Sequence, residues 1–176
     1  AEEILRGELA LSPEVLGVFE ALIEARRAIL ERIKDLDRRI RAIARESRPV
    51  RLLMTAPGVG PITALSVVSA FDDAGRFRSS SSAGAYLGLA PRRCESGETS
   101  RQGRISRRGD KMTRTHLSEA ANAILTRKIG GDALREWGLR IAGASGYRKA
   151  KGAVARKLAV IPHAMWKTET PFIAAE

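Results

Sequence analysis

The chain has 176 residues, 44% of them hydrophobic, and carries 31 Lys and Arg against 20 Asp and Glu, a formal net charge of +11. That length supports one core with an appendage rather than two full domains, and the charge makes polyanions the default partners. A single cysteine, Cys94, excludes an internal disulfide. With His116 and His163 as the two histidines, the usual ligand count of a zinc site is not reached, and a reducing cytoplasm is expected. No apolar stretch reaches the roughly 18 residues needed to span a bilayer, and the N-terminus lacks the charged-then-apolar order of a signal peptide, so no membrane partner is expected.

The positive charge is unevenly distributed. Residues 1–49 carry ten basic and ten acidic side chains, and residues 50–91 carry three and two. Residues 92–128 carry ten and four, and residues 129–176 eight and four. A neutral first half and a basic second half point to a structural segment followed by a nucleic-acid-facing one.

Ser12-Pro13-Glu14 reads as a helix start, with a capping hydroxyl, a proline at the first helical position and an acid in the first turn. Apolar residues then recur, mostly three or four apart, through Leu16, Phe19, Leu22, Ile23, Ala25, Ile29, Leu30, Ile33, Leu36, Ile40 and Ile43, until Pro49 ends the run. The pattern predicts one long helix, about 50 Å at 1.5 Å per residue. Mixed charges such as Glu31, Lys34, Asp35 and Arg38 on its other faces fit a coiled coil that makes the protein a homo-oligomer, or a helix folded back on its own domain. Residues 1–49 are thus assigned to an N-terminal segment and coiled-coil helix, and residues 50–176 to a compact helical domain.

A short apolar run, Val50 to Met54, leads into Ala56-Pro57-Gly58-Val59-Gly60-Pro61 and a second apolar helix over Ile62 to Phe71. The order resembles a helix-hairpin-helix, in which Gly58 and Gly60 let the backbone approach a phosphate and the next helix's N-terminal amides attract it. A plain turn between two core helices has the same signature. Gly75 to Ser82 reads as a loop before a short helix near Ala83 to Leu89, ended by Pro91. A helix resumes from Asp110, broken by Gly130-Gly131. Two more follow, about Ala133 to Ile141 and Lys149 to Trp166, the last with Arg148, Lys149, Lys151, Arg156 and Lys157 extending the cationic surface. No alternating run specifies a large sheet, so the fold class is mainly α: a long coiled-coil helix, then a compact helical domain with a helix-hairpin-helix-like element and an irregular basic loop or loose hairpin.

That strip holds Arg92, Arg93, Arg101, Arg104, Arg107, Arg108, Lys111 and Arg114, against the acids Glu95, Glu98 and Asp110. Guanidinium forks grip phosphate oxygens bidentately, and interspersed glycines keep the backbone accessible, so these cations are the candidate nucleic-acid contacts. The competing reading is a solvated charged face. Ser96, Thr99, Ser100 and Ser106 lie among the arginines, where cations could lower a hydroxyl's pKa and steady a phosphorane-like transition state. Spacing does not choose among them.

The ordered motifs Ala-Pro-Gly-Val-Gly-Pro (56–61), Ala-Tyr-Leu-Gly-Leu-Ala-Pro-Arg-Arg (85–93), Glu-Ser-Gly (95–97) and Gly-Arg-Ile-Ser-Arg-Arg-Gly-Asp (103–110), with a closing basic helix, resemble the C-terminal transposase domain of the IS one-ten family. That family includes bridge-RNA-guided recombinases, and the resemblance runs from about residue 50 to 173. It implies that Ser96 is the nucleophile that attacks a DNA phosphodiester and becomes covalently linked to DNA. It also implies DNA and a guide RNA as partners, and a bacterial cytoplasmic, nucleoid-associated location.

In the family an upstream RuvC-like domain binds magnesium through four carboxylates. That domain is absent from these residues, and none of Asp35, Asp37, Asp72, Asp73 or Asp110 sits in the strand contexts such a tetrad needs. No metal site or cofactor is therefore expected here, and magnesium only with that domain. The resemblance implies a transposase as the full-length protein, of which this fragment alone binds nucleic acid without recombining it. The alternative is a non-catalytic helix-hairpin-helix module for DNA or structured RNA; a third reading is a coiled-coil assembly factor with a basic tail.

Overall fold

The computed structural model describes residues 12–96, 99–127, 129–130 and 132–173, with the side chains of residues 92–104 excepted. The described residues are mainly α-helical. In chain order they form α1 (Pro13–Glu46), α2 (Arg48–Leu53), α3 (Pro61–Phe71), a 3-10 turn (Ala74–Arg76), α4 (Ser80–Tyr86), β1 (Pro91–Ser96), β2 (Thr99–Ile105), α5 (Lys111–Thr126), α6 (Asp132–Ser145) and α7 (Tyr147–Thr168). The chain divides into two compact units between Ile43 and Ala44.

Helix α1 starts at the expected Pro13, and the Glu14 carboxyl is held below its ordinary range by its own backbone amide and by the Ser12 hydroxyl. Along it, Val15, Phe19, Leu22, Ile29, Ile33, Leu36, Ile40 and Ile43 recur at alternating steps of four and three, interrupted at Arg26. Most of this stripe is exposed: Leu22 is 61% accessible, Ile29 60% and Leu36 55%. The opposite surface carries short-range ion pairs, Lys34 to Glu31 at 2.7 Å and Arg39 to Asp35 at 3.1 Å. Such exposed pairs add a few tenths of a kcal/mol each to a helix, about 0.3–0.5 kcal/mol.

The long helix ends earlier than Pro49. Ser47 leaves helical geometry with φ −82° and ψ 113°, and Pro49 falls in the first turn of α2, where its missing N–H has no intrahelical partner to lose. The proline that reads as a terminator thus helps to start the next helix.

In the second unit, α7 packs against α2, α4, α5 and α6. Its buried residues Ala150, Val154, Ala155, Leu158, Ala159 and Met165 recur at helical spacing, and the small alanines let neighbouring helices approach closely. Opposite lie Val50 and Leu53 of α2, Val67 and Phe71 of α3, and Leu117, Ala121 and Ile124 of α5. A histidine is sealed inside. His163 is fully buried, its Nε2 3.0 Å from the Ala74 carbonyl and its Nδ1 3.0 Å from Ser80 Oγ. A carbonyl only accepts, so Nε2 carries the proton. Phe71 and Phe77 meet this imidazole edge-on, at 5.7 and 5.3 Å between centroids, tying α7 to α3, the 3-10 turn and α4.

Candidate nucleic-acid interface

The basic strip is more regular than a loop. β1 and β2 form a two-stranded antiparallel ribbon with Pro91 opposite Ile105, Arg93 opposite Gln102, Cys94 opposite Arg101 and Ser96 opposite Thr99. The register shifts between Pro91 and Arg93, a bulge of the kind that bends a ribbon. Arg92 and Arg93 are thus on β1, Arg101 and Arg104 on β2, and Ser96 is the last residue of β1. The side chains of these five, and residues 97 and 98, lie outside the described residues.

The root of the ribbon is well defined. Two glycines cross there backbone to backbone: a Cβ on Gly88 would sit 2.0 Å from the Arg108 carbonyl oxygen, and one on Gly109 would sit 2.0 Å from the Tyr86 oxygen. Both have left-handed φ, +71° and +92°, which glycine alone adopts without strain. The Ser106 amide donates to the Ala90 carbonyl at 2.9 Å, and the Arg107 amide to the Gly88 carbonyl at 3.0 Å. Both ends of the ribbon are therefore held against the segment that follows α4.

Asp110 caps α5, accepting from the Thr113 amide. That hydrogen bond, then one to the Thr113 side chain, holds the Asp110 carboxyl below its ordinary range, with smaller help from the Arg114 and His116 charges. The fully buried Thr113 hydroxyl in turn meets Ser66 of α3, at 2.8 Å from Oγ and 3.1 Å from the carbonyl.

The predicted cations do not all serve alike. Arg107, with φ +57°, Arg108 and Lys111 are exposed beside the root. Arg114 turns inward: its Nη1 donates to the Leu87 carbonyl at 2.9 Å and, more weakly, to the Arg108 and Asp110 carbonyls at 3.4 Å. It clasps α5 to both chains of the crossing. Replacing Arg114 by Gln should cost about 1–2 kcal/mol of stability, with partial recovery in Arg114→Lys, because a charged donor to a part-buried carbonyl is lost. Urea unfolding measures this, and an unchanged midpoint would show that the clasp contributes nothing.

The distal cations are also partly engaged. Lys151 pairs with Glu119 at 2.9 Å, and Lys157 lies 4.7 Å over the Trp137 ring, whereas Arg148 and Lys149 are exposed. Arg76, which the sequence reading left out, lies 5.0 Å over the Tyr86 ring next to the glycine crossing. No pattern in the sequence joins it to the strip, which begins sixteen residues later in the chain.

The order helix, glycine turn, helix is present over α2 and α3. Gly58 has φ +73°, and a Cβ there would meet Ile124 at 3.0 Å and the Ala120 carbonyl at 3.1 Å, so this glycine lets the turn pack on α5. Gly60 is extended at φ −87° and ψ 178°, which any residue adopts, with nothing within 4 Å of its Cβ position. No side chain caps α3, which begins just after it. Among the described residues no three His, Cys, Asp or Glu side chains gather as a metal site, and no helix is long and apolar enough to cross a membrane.

Residues 50–135, which include the hairpin, the ribbon and its root, match the model of the transposase IS116/IS110/IS902 family. The chain is 34% identical over 125 residues to a Pseudomonas aeruginosa protein named "Probable family 20 transposase", covering 70% of this chain and 37% of that protein. It is 33% identical over 117 residues to the transposase for insertion sequence element IS1111A of Coxiella burnetii, covering 66% and 32%. The transposase for insertion sequence element IS1328 of Yersinia enterocolitica is 30% identical over 131 residues, covering 74% and 39%. The chain thus spans 32% to 39% of the length of these relatives. Residues 50–135 thus carry the domain of the IS116/IS110/IS902 transposase family.

Proposed function

We propose that this chain is the serine-bearing, nucleic-acid-binding part of a transposase, in which the basic ribbon and its root hold DNA phosphates and Ser96 is the nucleophile. The observation that carries the reading is the ribbon itself: a cation-rich hairpin on a root fixed by a glycine crossing, within the segment matched to the family. A pinned root limits the entropy lost when the ribbon engages a strand.

In the proposed reaction Ser96 Oγ attacks a phosphodiester, an Oγ–P bond forms as a P–O bond to deoxyribose breaks, and the leaving oxygen takes up a proton. Arginine forks around the phosphoryl oxygens stabilise the charge that develops. Cross-strand partners share a face of a ribbon, as do alternate positions along one strand. The register sets Cys94 opposite Arg101 and Ser96 opposite Thr99, and Arg101 is the cation proposed to act with the serine. No described residues fit a divalent metal, so no step is assigned to one here.

The hairpin at Gly58 and Gly60 is the second proposed phosphate contact, through the uncapped amides at the start of α3. A guide RNA is the proposed second polyanion, and the exposed stripe of α1 the proposed surface for self-association.

Two measurements test this. DNA affinity should fall with salt at a log-log slope of about −0.9 per phosphate neutralised, and Arg107→Ala with Arg108→Ala should reduce that slope by about 2. Salt-independent binding sinks the nucleic-acid reading. In the full-length protein, Ser96→Ala should abolish covalent protein-DNA adducts; if adducts persist, the non-catalytic module becomes the better reading.

A further inference from the structure

A cleft of about 280 Å³ opens where α2 meets the end of α7, lined by Arg48, Pro49, Arg51, Leu52, Trp166 and Glu169. None of these residues belongs to the ribbon or its root. Leu52 and Trp166 are half-buried and pack against the core, so the cleft has a firm apolar side. The chain after α7 is tied down near it, the Phe172 amide donating to Thr55 Oγ1 at 3.0 Å.

The polar side is cationic on balance. Arg51 donates through Nη1 to the Arg45 carbonyl, which leaves its remaining N–H groups for another acceptor. Arg48 reaches Glu169 at 2.7 Å, but both side chains are largely exposed, 76% and 66%. An ion pair so solvated contributes little and exchanges readily for a phosphate.

We propose that this cleft takes one unpaired nucleotide of a single strand, its base against Trp166 and its phosphate on Arg51, with Arg48 released from Glu169. This rests on the nucleic-acid reading above and adds a site to it. The size suits a single nucleotide unit, lying just below the range of about 300–1,000 Å³ for small-ligand pockets. Extruding a paired base costs on the order of a few kcal/mol, which favours an unpaired occupant. Every base offers a π-face to an indole, so the site tolerates any sequence. DNA and RNA share this chemistry.

The test uses the whole chain with Trp137→Phe, which leaves Trp166 as its one tryptophan. Pentathymidylate, pentauridylate and a five-unit abasic deoxyribose-phosphate are titrated in, with binding followed separately by the anisotropy of dye-labelled copies. Trp166 emission should be quenched saturably by the base-bearing oligomers and not by the abasic one. Arg51→Ala should raise the midpoint of quenching about tenfold. A response to one sugar alone supports the site and assigns its strand. Unchanged emission while anisotropy reports binding overturns the cleft and leaves the nucleic-acid reading standing, as does equal quenching by the abasic oligomer. If no oligomer binds by either measure, both readings fail.

Discussion

Gly88→Ala and Gly109→Ala should each lower stability by about 4 kcal/mol. Each adds one methyl, but at Gly88 that methyl would lie 2.0 Å from the Arg108 oxygen and 2.6 Å from its nitrogen, and at Gly109 it would lie 2.0 Å from the Tyr86 oxygen. The obstacles are backbone atoms, which do not swing aside as a flexible side chain would. The left-handed φ of both residues adds roughly 1–2 kcal/mol for any residue with a Cβ.

Relief comes only by prising the root apart. Hydrogen exchange should therefore show the Ser106 and Arg107 amides losing protection before the helices do, since these two bond across the crossing. Gly60→Ala is the matching control: with an extended backbone and open space at its Cβ position, it should leave the melting temperature nearly unchanged. If the hairpin contacts phosphate through that backbone, the same substitution should weaken DNA binding. Equal melting temperatures for Gly88→Ala, Gly109→Ala and Gly60→Ala would show that the crossing is not tight.

Phe71→Ala should cost about 3–5 kcal/mol and lower the midpoint of thermal unfolding by roughly 10 °C. The ring is fully buried, 5.1 Å from Phe77 and 5.7 Å from the His163 imidazole, in edge-to-face contacts. Truncation leaves a cavity beside a buried polar ring whose hydrogen bonds to Ala74 and Ser80 depend on its position. Those bonds join α7 to the 3-10 turn and to α4, and the chain after α4 forms the ribbon root, so the damage should extend toward the site. Phe71→Leu, which keeps most of the volume, should cost less than about 2 kcal/mol. Calorimetry on both variants checks the order, and similar losses for Leu and Ala would place the value of Phe71 in its ring contacts rather than its volume.

Much of the helical frame is written locally. The caps and spacings that predict helices over α1, α3 and α5 are signals between neighbours in sequence: Pro13 with Glu14, the apolar run from Ile62 to Phe71, and the helical pattern resuming from Asp110. Boundaries were less legible. Pro49 has the same chemistry whether it closes one helix or lies in the first turn of the next, and the geometry of Ser47 decides which. The glycines were legible as turn residues but not by role. Gly58 and Gly60 look equivalent in the string, yet Gly58 packs on α5 while Gly60 faces open space.

The cationic strip from Arg92 to Arg114, its serines and the absence of a metal-ligand pattern there follow from the sequence alone, because charge and residue type do not depend on folding. So does the stripe of α1, which is a matter of period. Tertiary structure decided how those charges are distributed. Arg114 is turned onto three backbone carbonyls, Lys151 and Lys157 are engaged by Glu119 and Trp137, and Arg76 is brought to the root from outside the strip. The Gly88 and Gly109 crossing is likewise invisible in the string, since it joins two backbones twenty-one residues apart. Whether a guanidinium is available to a phosphate depends on which carbonyls the fold carries to it, and long-range packing alone determines that.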